Sequence, residues 1–337
     1  MSFASAVEPL RSASRLADAP LYRWRLFSPN CGTVQASNGL TAVPEGRLEE
    51  APPLDALIVC AGLGVAEFRD ARTFAALRRL ARMGVHLGGI STGSLVLARA
   101  GLLDGYRCTI HWENLEAFRD EFPDIEVTGA LYEIDRSRFT CAGGLAALDL
   151  MHEIISRDQG AELSGAVSEQ FAHTHVRLPD EPQRMGLRER LGVTNAKLLT
   201  VLRRMEDNLE EPLRRDELAA EVGISVRQLE RLFCAHLGRT PGHHYLDLRL
   251  RRARLLLHQT SLTIVDVAVA SGFVSASHFA RAYREHFGRS PSLERPSSSP
   301  GSRTRSQANG EPPPAARPGP RTKQRSIELR RKPPAFG

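Results

Sequence analysis

Between about Leu213 and Pro291 the chain says nearly the same thing twice, and a repeat of that length restricts it to architectures in which small units bury their apolar faces together. The first copy reads LAAEVGISVRQLERLFCAHLGRTP from Leu218 and the second VAVASGFVSASHFARAYREHFGRSP from Val267. Leu229, Arg231, Phe233, Gly238 and Pro241 recur fifty residues later as Phe279, Arg281, Tyr283, Gly288 and Pro291. Ala219 and Gly223 recur forty-nine later as Ala268 and Gly272, so the second turn holds one extra residue. Two such units are expected to share a core.

Each copy has the grammar of a helix, a turn and a second helix. A short Ala-containing helix meets a Gly where positive φ is easiest, and a Ser stands ready to cap the second helix. In the first copy Leu229, Leu232 and Phe233 fall at i, i+3 and i+4 and face inward. Arg227, Gln228 and Arg231 take the opposite face, in the part of a recognition helix that meets base edges in the major groove. The equivalent face of the second copy carries Ser275, Ser277, His278 and Arg281. A single helix with such a face is also consistent with plain solvation; the tandem repeat favours DNA reading.

HHYLDLRLRRARLLLHQ, from His243, joins the copies, with Leu246, Leu250, Ala253, Leu256 and Leu257 on one stripe and Arg249, Arg251, Arg252 and Arg254 elsewhere. The pattern predicts a spacer helix whose arginines pass close to phosphates. Recognition helices held about 34 Å apart would enter successive major grooves, and one chain would then read two half-sites. From about Asn195 to Arg295 these residues resemble the DNA-binding domain of AraC/XylS-family transcriptional regulators, whose second-copy signature is uninterrupted here.

The chain's 337 residues allow two domains, and its formal net charge of +6 suits a nucleic-acid partner without requiring one. Five scattered cysteines lack CxxC spacing, so they read as reduced, mostly buried thiols. No leader pattern or membrane-length apolar run is evident, which predicts a cytoplasmic protein with no membrane partner.

From Met1 to about Arg177 short apolar runs alternate with helical stretches, as in an α/β layer fold. Helices are expected over Ser5–Leu16, Asp70–Met83 and Leu145–Ser156. Strands are expected at Tyr22–Phe27, at Leu54–Cys60 as a buried parallel strand, and in HLGGIS, with a β-hairpin in ALYEIDRSRFTCAGG. HLGGIS passes at once into a helix, placing Ser91 and Thr92 on a sharp strand-to-helix turn at the sheet's carboxyl edge. RCTIHWENLEAF ends another strand near His111 and brings Trp112 and Glu113 to the same edge.

This arrangement resembles the PfpI/ThiJ-like, class I glutamine amidotransferase-like domain, a flavodoxin-like sandwich that one class of AraC-family regulators joins to the tandem helix-turn-helix. The resemblance implies Ser91 at the elbow where the enzymes carry cysteine, His111 as the nearby histidine and Glu8 as the early acid. It also implies a pocket that binds a small metabolite without turning it over, since serine needs an oriented base. The family's first strand is missing ahead of Glu8, which implies either an upstream start or a sheet short of one strand. Trp112 beside Glu113 suits a cation, and the subclass resembles regulators of arginine, carnitine or glycine betaine catabolism. Core packing of Trp112 and a helix-start role for Glu113 remain the alternative. His173 and His175 show no acidic neighbour in sequence, so no metal or other cofactor is expected.

The organisation expected is a sensor over 1–177, a polar connection over 178–194, a DNA-binding domain over 195–295 and a disordered basic tail over 296–337. The function expected is ligand-responsive regulation, activating rather than repressing, by a homodimer that engages promoter DNA, a small amine and RNA polymerase. No residue is assigned a catalytic role. The rival readings are an amidase or peptidase using Ser91 and His111, and a DNA-binding protein with an inert sensor.

Overall fold

The computed structural model describes residues 1–260 and 262–294; the expected disordered tail lies outside them. The amino-terminal part opens with α1 (Ser2–Leu16) and two small pairings of two-residue strands. In these, β1 (Phe27–Ser28) runs parallel to β4 (Gly46–Arg47), and β2 (Val34–Gln35) antiparallel to β3 (Thr41–Ala42). A four-stranded sheet comes next, built from β5 (Ala56–Ala61), β6 (His86–Ser91), β9 (Tyr132–Asp135) and β10 (Arg138–Cys141) in the order β5-β6-β10-β9. The first three run parallel, and β9 returns antiparallel as the arm of the expected hairpin. A short parallel pair, β7 (Cys108–Thr109) and β8 (Val127–Thr128), stands beside it.

Side chains alternate across the sheet and so feed two cores. Leu87 joins the face covered by α2 (Ala71–Arg82), α3 (Gly93–Arg99) and α4 (Leu115–Glu121). Ile90 joins the face covered by α1 and α5 (Ala146–Gln159), with α6 (Ala161–Gln170) packed outside. The result is the α/β/α sandwich that alternating runs predict. Asp70 caps α2 by accepting from the amides of Arg72 and Thr73.

Two strand expectations need correction. Of Tyr22–Phe27 only Phe27 enters a strand; Leu26 O accepts from the Glu45 amide at 2.8 Å, but the residues ahead of it have no strand partner among the described residues. The run Leu54–Cys60 does form a parallel strand, but β5 is the sheet edge, and Ala56 and Cys60 are exposed. The cysteines are likewise less buried than expected: Cys108 and Cys141 are enclosed, whereas Cys31, Cys60 and Cys234 are exposed.

From residue 187 onward the described chain is helical: α7 (Leu187–Leu191), α8 (Ala196–Asp207), α9 (Arg215–Glu221), α10 (Val226–Leu237), α11 (Pro241–Gln259), α12 (Ile264–Ala270), α13 (Ala276–Phe287) and α14 (Pro291–Glu294). Leu187, Leu191 and Val193 pack into the first unit's core, ahead of the expected domain start at 195. The shared core expected for the repeat is instead two cores. One gathers α8, α9 and α10 around Leu229 and Phe233, and the other gathers α12 and α13 around Phe279 and Tyr283. At 19 residues α11 is about 28 Å long, enough for Tyr245 to serve the first while Leu250, Ala253 and Leu257 serve the second.

Buried acids lock the helices. Asp247, on the inner side of α11, accepts from Arg251 and Arg239 and meets His286 of α13 at 3.1 Å. Burial pushes the Asp247 carboxyl up, but Arg251, His286 and Arg239 outweigh it and hold it below the usual carboxylate range. Glu294 gathers Arg254, His258 and Arg289 in the same way.

His244, 5% exposed and edge-on to Phe233, is held at about 4 by burial and by Arg239. Its folded value lies below the unfolded value of 6.5, so its neutral form stabilises the domain above pH 6.5 and that contribution is lost as pH falls through 4. Acidification from pH 7 to 4 is expected to cost about 3 kcal/mol through this residue. Urea denaturation across that range should show His244→Phe with a shallower pH slope than the parent; parallel slopes would remove His244 from the account.

Candidate effector site and nucleic-acid interface

Ser91 ends β6 with φ at +60°, a left-handed conformation uncommon for a side chain with a Cβ, and this turns it out of the strand just as α3 begins. A Cβ on Gly143 would stand 2.6 Å from the Ser91 Cβ, so only glycine lets the β10–α5 turn close against the elbow. Thr92 is buried and donates from its hydroxyl to Gly62 O at 3.0 Å, tying the elbow to the end of β5. Beneath Ser91 lies Cys141, whose thiol burial pushes up to about 12, leaving it a protonated core group at neutral pH.

Ser91 ends β6 of the four-stranded sheet, whereas His111 follows β7 of the separate two-stranded pair, so the one sheet edge expected for both is two elements joined by side-chain hydrogen bonds. Ser94, in the first turn after the elbow, donates to Thr109 O at 2.7 Å, and the Thr109 amide donates to Thr140 of β10 at 2.8 Å. His111 follows two residues later. Its Nδ1 accepts from the Glu113 amide at 3.4 Å, and burial lowers its pKa against the opposing pull of Glu113, so the neutral ring dominates at neutral pH. Among the described residues Ser91 Oγ has no hydrogen bond to His111 or to any carboxylate. Glu8 stands on α1, where its carboxylate pairs with Arg11 at 2.7 Å.

Trp112 and Glu113 begin a 3-10 turn just after β7, both half-buried. The Trp112 ring is tilted against His111, and on it the guanidinium of Arg184 sits 4.1 Å from the ring centroid. Arg184 comes from the connection that reads as a polar linker, and its neighbour Gln183 donates to Thr109 Oγ1, Ile110 O and Ala130 O at 3.1, 3.1 and 2.8 Å. Sequence reasoning missed both, for the residues they touch lie 53 to 74 positions away from Gln183.

The connection is also anchored at its start. Asp149 of α5, fully buried, accepts from the Arg177 amide and guanidinium at 2.6 to 3.1 Å and from His173 Nε2 at 3.0 Å. The expectation that His173 and His175 have no acidic neighbour is therefore corrected, since folding brings Asp149 to the first and Glu181, at 3.3 Å, to the second. Among the described residues no group of three or more such side chains forms a metal-holding cluster.

The second helices of the two repeats, α10 and α13, are built alike. Gly223 and Gly272 take φ of +63° and +73° at the turns, Ser225 and Ser275 cap α10 and α13, and Gly238 and Gly288 end them. Arg227, Gln228, Arg231, Ser275, Ser277, His278 and Arg281 are all exposed. Gln228 has a second task, since its Oε1 accepts from the Ser225 amide in the capping box. Among the described residues the side chains of Arg227, Arg231 and Arg281 make no ion pair or hydrogen bond within the protein. The extra residue of the second turn is Val274, fully exposed just ahead of Ser275.

The arginines of α11, expected to pass close to phosphates, all have partners within the protein, and Arg249 and Arg252 are turned inward, while Arg251 and, in part, Arg254 stay exposed. Arg249 donates to Ser271 O and Gly272 O and lies over Phe273, Arg251 and Arg254 pair with Asp247 and Glu294, and half-buried Arg252 pairs with Glu116 of α4. An amphipathic helix pattern tells which residues are cationic, not where their partners come to lie.

A DJ-1/PfpI family model matches residues 6–157, and a helix-turn-helix domain model matches residues 218–295. The chain is 47% identical over 295 residues to the HTH-type transcriptional regulator GbdR of Pseudomonas aeruginosa, covering 88% of this chain and 80% of that protein. It is 48% identical over 295 residues to the HTH-type transcriptional regulator CdhR of the same species, covering 88% of each. An isonitrile hydratase of Pseudomonas putida is 33% identical over 153 residues, covering 42% of this chain and 64% of the enzyme. The two family models fall on the two folded parts of the chain, and the two regulators match across 88% of it: the chain belongs to the AraC-type family of helix-turn-helix transcriptional regulators with an amino-terminal DJ-1/PfpI domain.

Proposed function

We propose that this regulator reads promoter DNA with α10 and α13 and answers to a small cationic or zwitterionic amine held at the Ser91–His111–Trp112 site of its sensor. The observation that carries the DNA reading is that Arg231 and Arg281 occupy the same position of the two repeats, both exposed and both with side chains unpaired among the described residues. Arg227, Gln228, Ser275, Ser277 and His278 complete the two reading faces. The amine reading is supported by the Trp112 ring already accepting a guanidinium at 4.1 Å, with the Glu113 carboxylate on the next residue. Activation through RNA polymerase, a homodimeric state and a cytoplasmic location belong to the same proposal. Among the described residues no helix is long and apolar enough to cross a membrane.

The reading of a sensor that does not turn its ligand over is supported by Ser91 Oγ making no hydrogen bond to His111 or to a carboxylate among the described residues, and by Glu8 being engaged by Arg11. Binding of the regulator to its own promoter fragment and to random DNA tests the DNA half. Arg231→Ala and Arg281→Ala are each expected to weaken specific binding by about 1 to 3 kcal/mol, roughly 5- to 150-fold, with a much smaller loss on random DNA. Equal losses on both DNAs would make these arginines phosphate contacts and remove them from sequence reading.

A further inference from the structure

We propose that the chain's own Arg184 is the resting occupant of the Trp112 face, and that a cationic ligand acts by displacing it and so freeing the connection to the DNA-binding domain. The proposal rests on the amine reading given above and adds how that site is regulated.

A guanidinium and an ammonium ask the same thing of an indole ring, a negative face within about 6 Å, and one ring face holds one of them at a time. Arg184 holds it here at 4.1 Å. The segment carrying Arg184 is fixed unevenly. Its start is pinned, because Arg177 is clamped by the buried Asp149 and Pro179 O accepts from the Leu131 amide at 2.8 Å. Its end is committed, because Leu187 and Leu191 pack into the first core of the DNA-binding unit.

Between these points the seat is incomplete. The Gln183 amide nitrogen, with two hydrogens, is shared among three oxygens, while the buried Gln183 Oε1 has no partner among the described residues. Burying an acceptor unpaired is unfavourable, so the docked segment depends on the exposed Arg184 stacking contact beside it. A ligand changes an equilibrium only through its different affinity for the two states. Competition for one ring face supplies that difference, since the ligand binds where Arg184 has left. Release at 183–184 then changes the tether of α7 without moving the anchor at Arg177.

The test follows the indole N–H resonance of Trp112, assigned with Trp112→Phe, while tetramethylammonium or methylguanidinium is titrated into the full chain and into Arg184→Ala. The expected result is binding about tenfold tighter in Arg184→Ala, with Arg184→Lys in between, because removing a competitor removes the fraction of protein in which the site is filled. In the parent chain, hydrogen exchange of residues 180–186 should speed up when the probe binds. Equal or weaker binding to Arg184→Ala, with the Trp112 resonance still responding, would overturn the displacement and leave the amine site standing. A Trp112 resonance indifferent to both cations in both proteins would overturn the amine site and the displacement together.

Discussion

Gly272→Ala is expected to destabilise the second helix-turn-helix unit by about 4 kcal/mol, while the same change at Gly223, the matching position of the first unit, costs about 1. Both glycines have positive φ, +63° and +73°, where any other L-residue bears a penalty of about 1 to 2 kcal/mol. Around Gly223 a new Cβ meets nothing within 4 Å. At Gly272 it would lie 2.5 Å from Leu209 O and 2.7 Å from Pro212 Cγ, atoms of the first unit's α8–α9 loop that cannot withdraw without moving backbone. The same turn gives its Ser271 and Gly272 carbonyls to Arg249, so a shift there also disturbs α11. Calorimetry of the two variants is the measurement. The transition of the DNA-binding domain should fall by about 15 °C or more for Gly272→Ala and by about 5 °C for Gly223→Ala. Equal falls would mean the second turn does not rest on the first unit.

Asp149→Ala is expected to cost the amino-terminal domain about 4 kcal/mol, because a fully buried carboxylate disappears from the reach of Arg177 and His173 and leaves their donors without an acceptor. Asp149→Asn, which keeps the shape and one acceptor, should fall between the two. The loss has a local signature. With its clamp gone the connection opens at its start, so trypsin should cut after Arg177 many times faster in Asp149→Ala than in the parent. An amino-terminal domain that keeps both its melting temperature and its resistance at Arg177 would show that the clamp holds nothing.

The helix-turn-helix units could be read from residues because their rules are local. Leu229 and Phe233 at i and i+4 make an inner face, Ser225 and Ser275 cap, Gly238 and Gly288 terminate, and each signal lies within one turn of what it controls. The hairpin of β9 and β10 was readable for the same reason, as was the elbow at Ser91, where a strand pattern meets a helix pattern. Tyr22–Phe27 alternates as a strand does, yet alternation supplies no partner, and only Phe27 joins a strand. Asp247 left a trace in the sequence as an acid one turn ahead of Leu250 on the apolar side of α11, a place where an acid needs cations brought to it.

Arg249 reads as a phosphate contact until Ser271 and Gly272 arrive beside it from 22 and 23 positions on. Gln183 and Arg184 read as a solvated linker until they dock at Thr109, Ala130 and Trp112. By itself the sequence determined the tandem repeat, its caps and turns, the α/β order of the amino-terminal domain and which residues lie on the outer faces of α10 and α13, all set by backbone preference and by periods of two and 3.6. Only the tertiary structure decided which polar side chains are engaged and which are free, why Gly223 is open while Gly272 is shut in, and what occupies Trp112. Hydrogen bonds and cation–π contacts reach only a few ångströms, and the chain must fold before groups tens of residues apart come within that range.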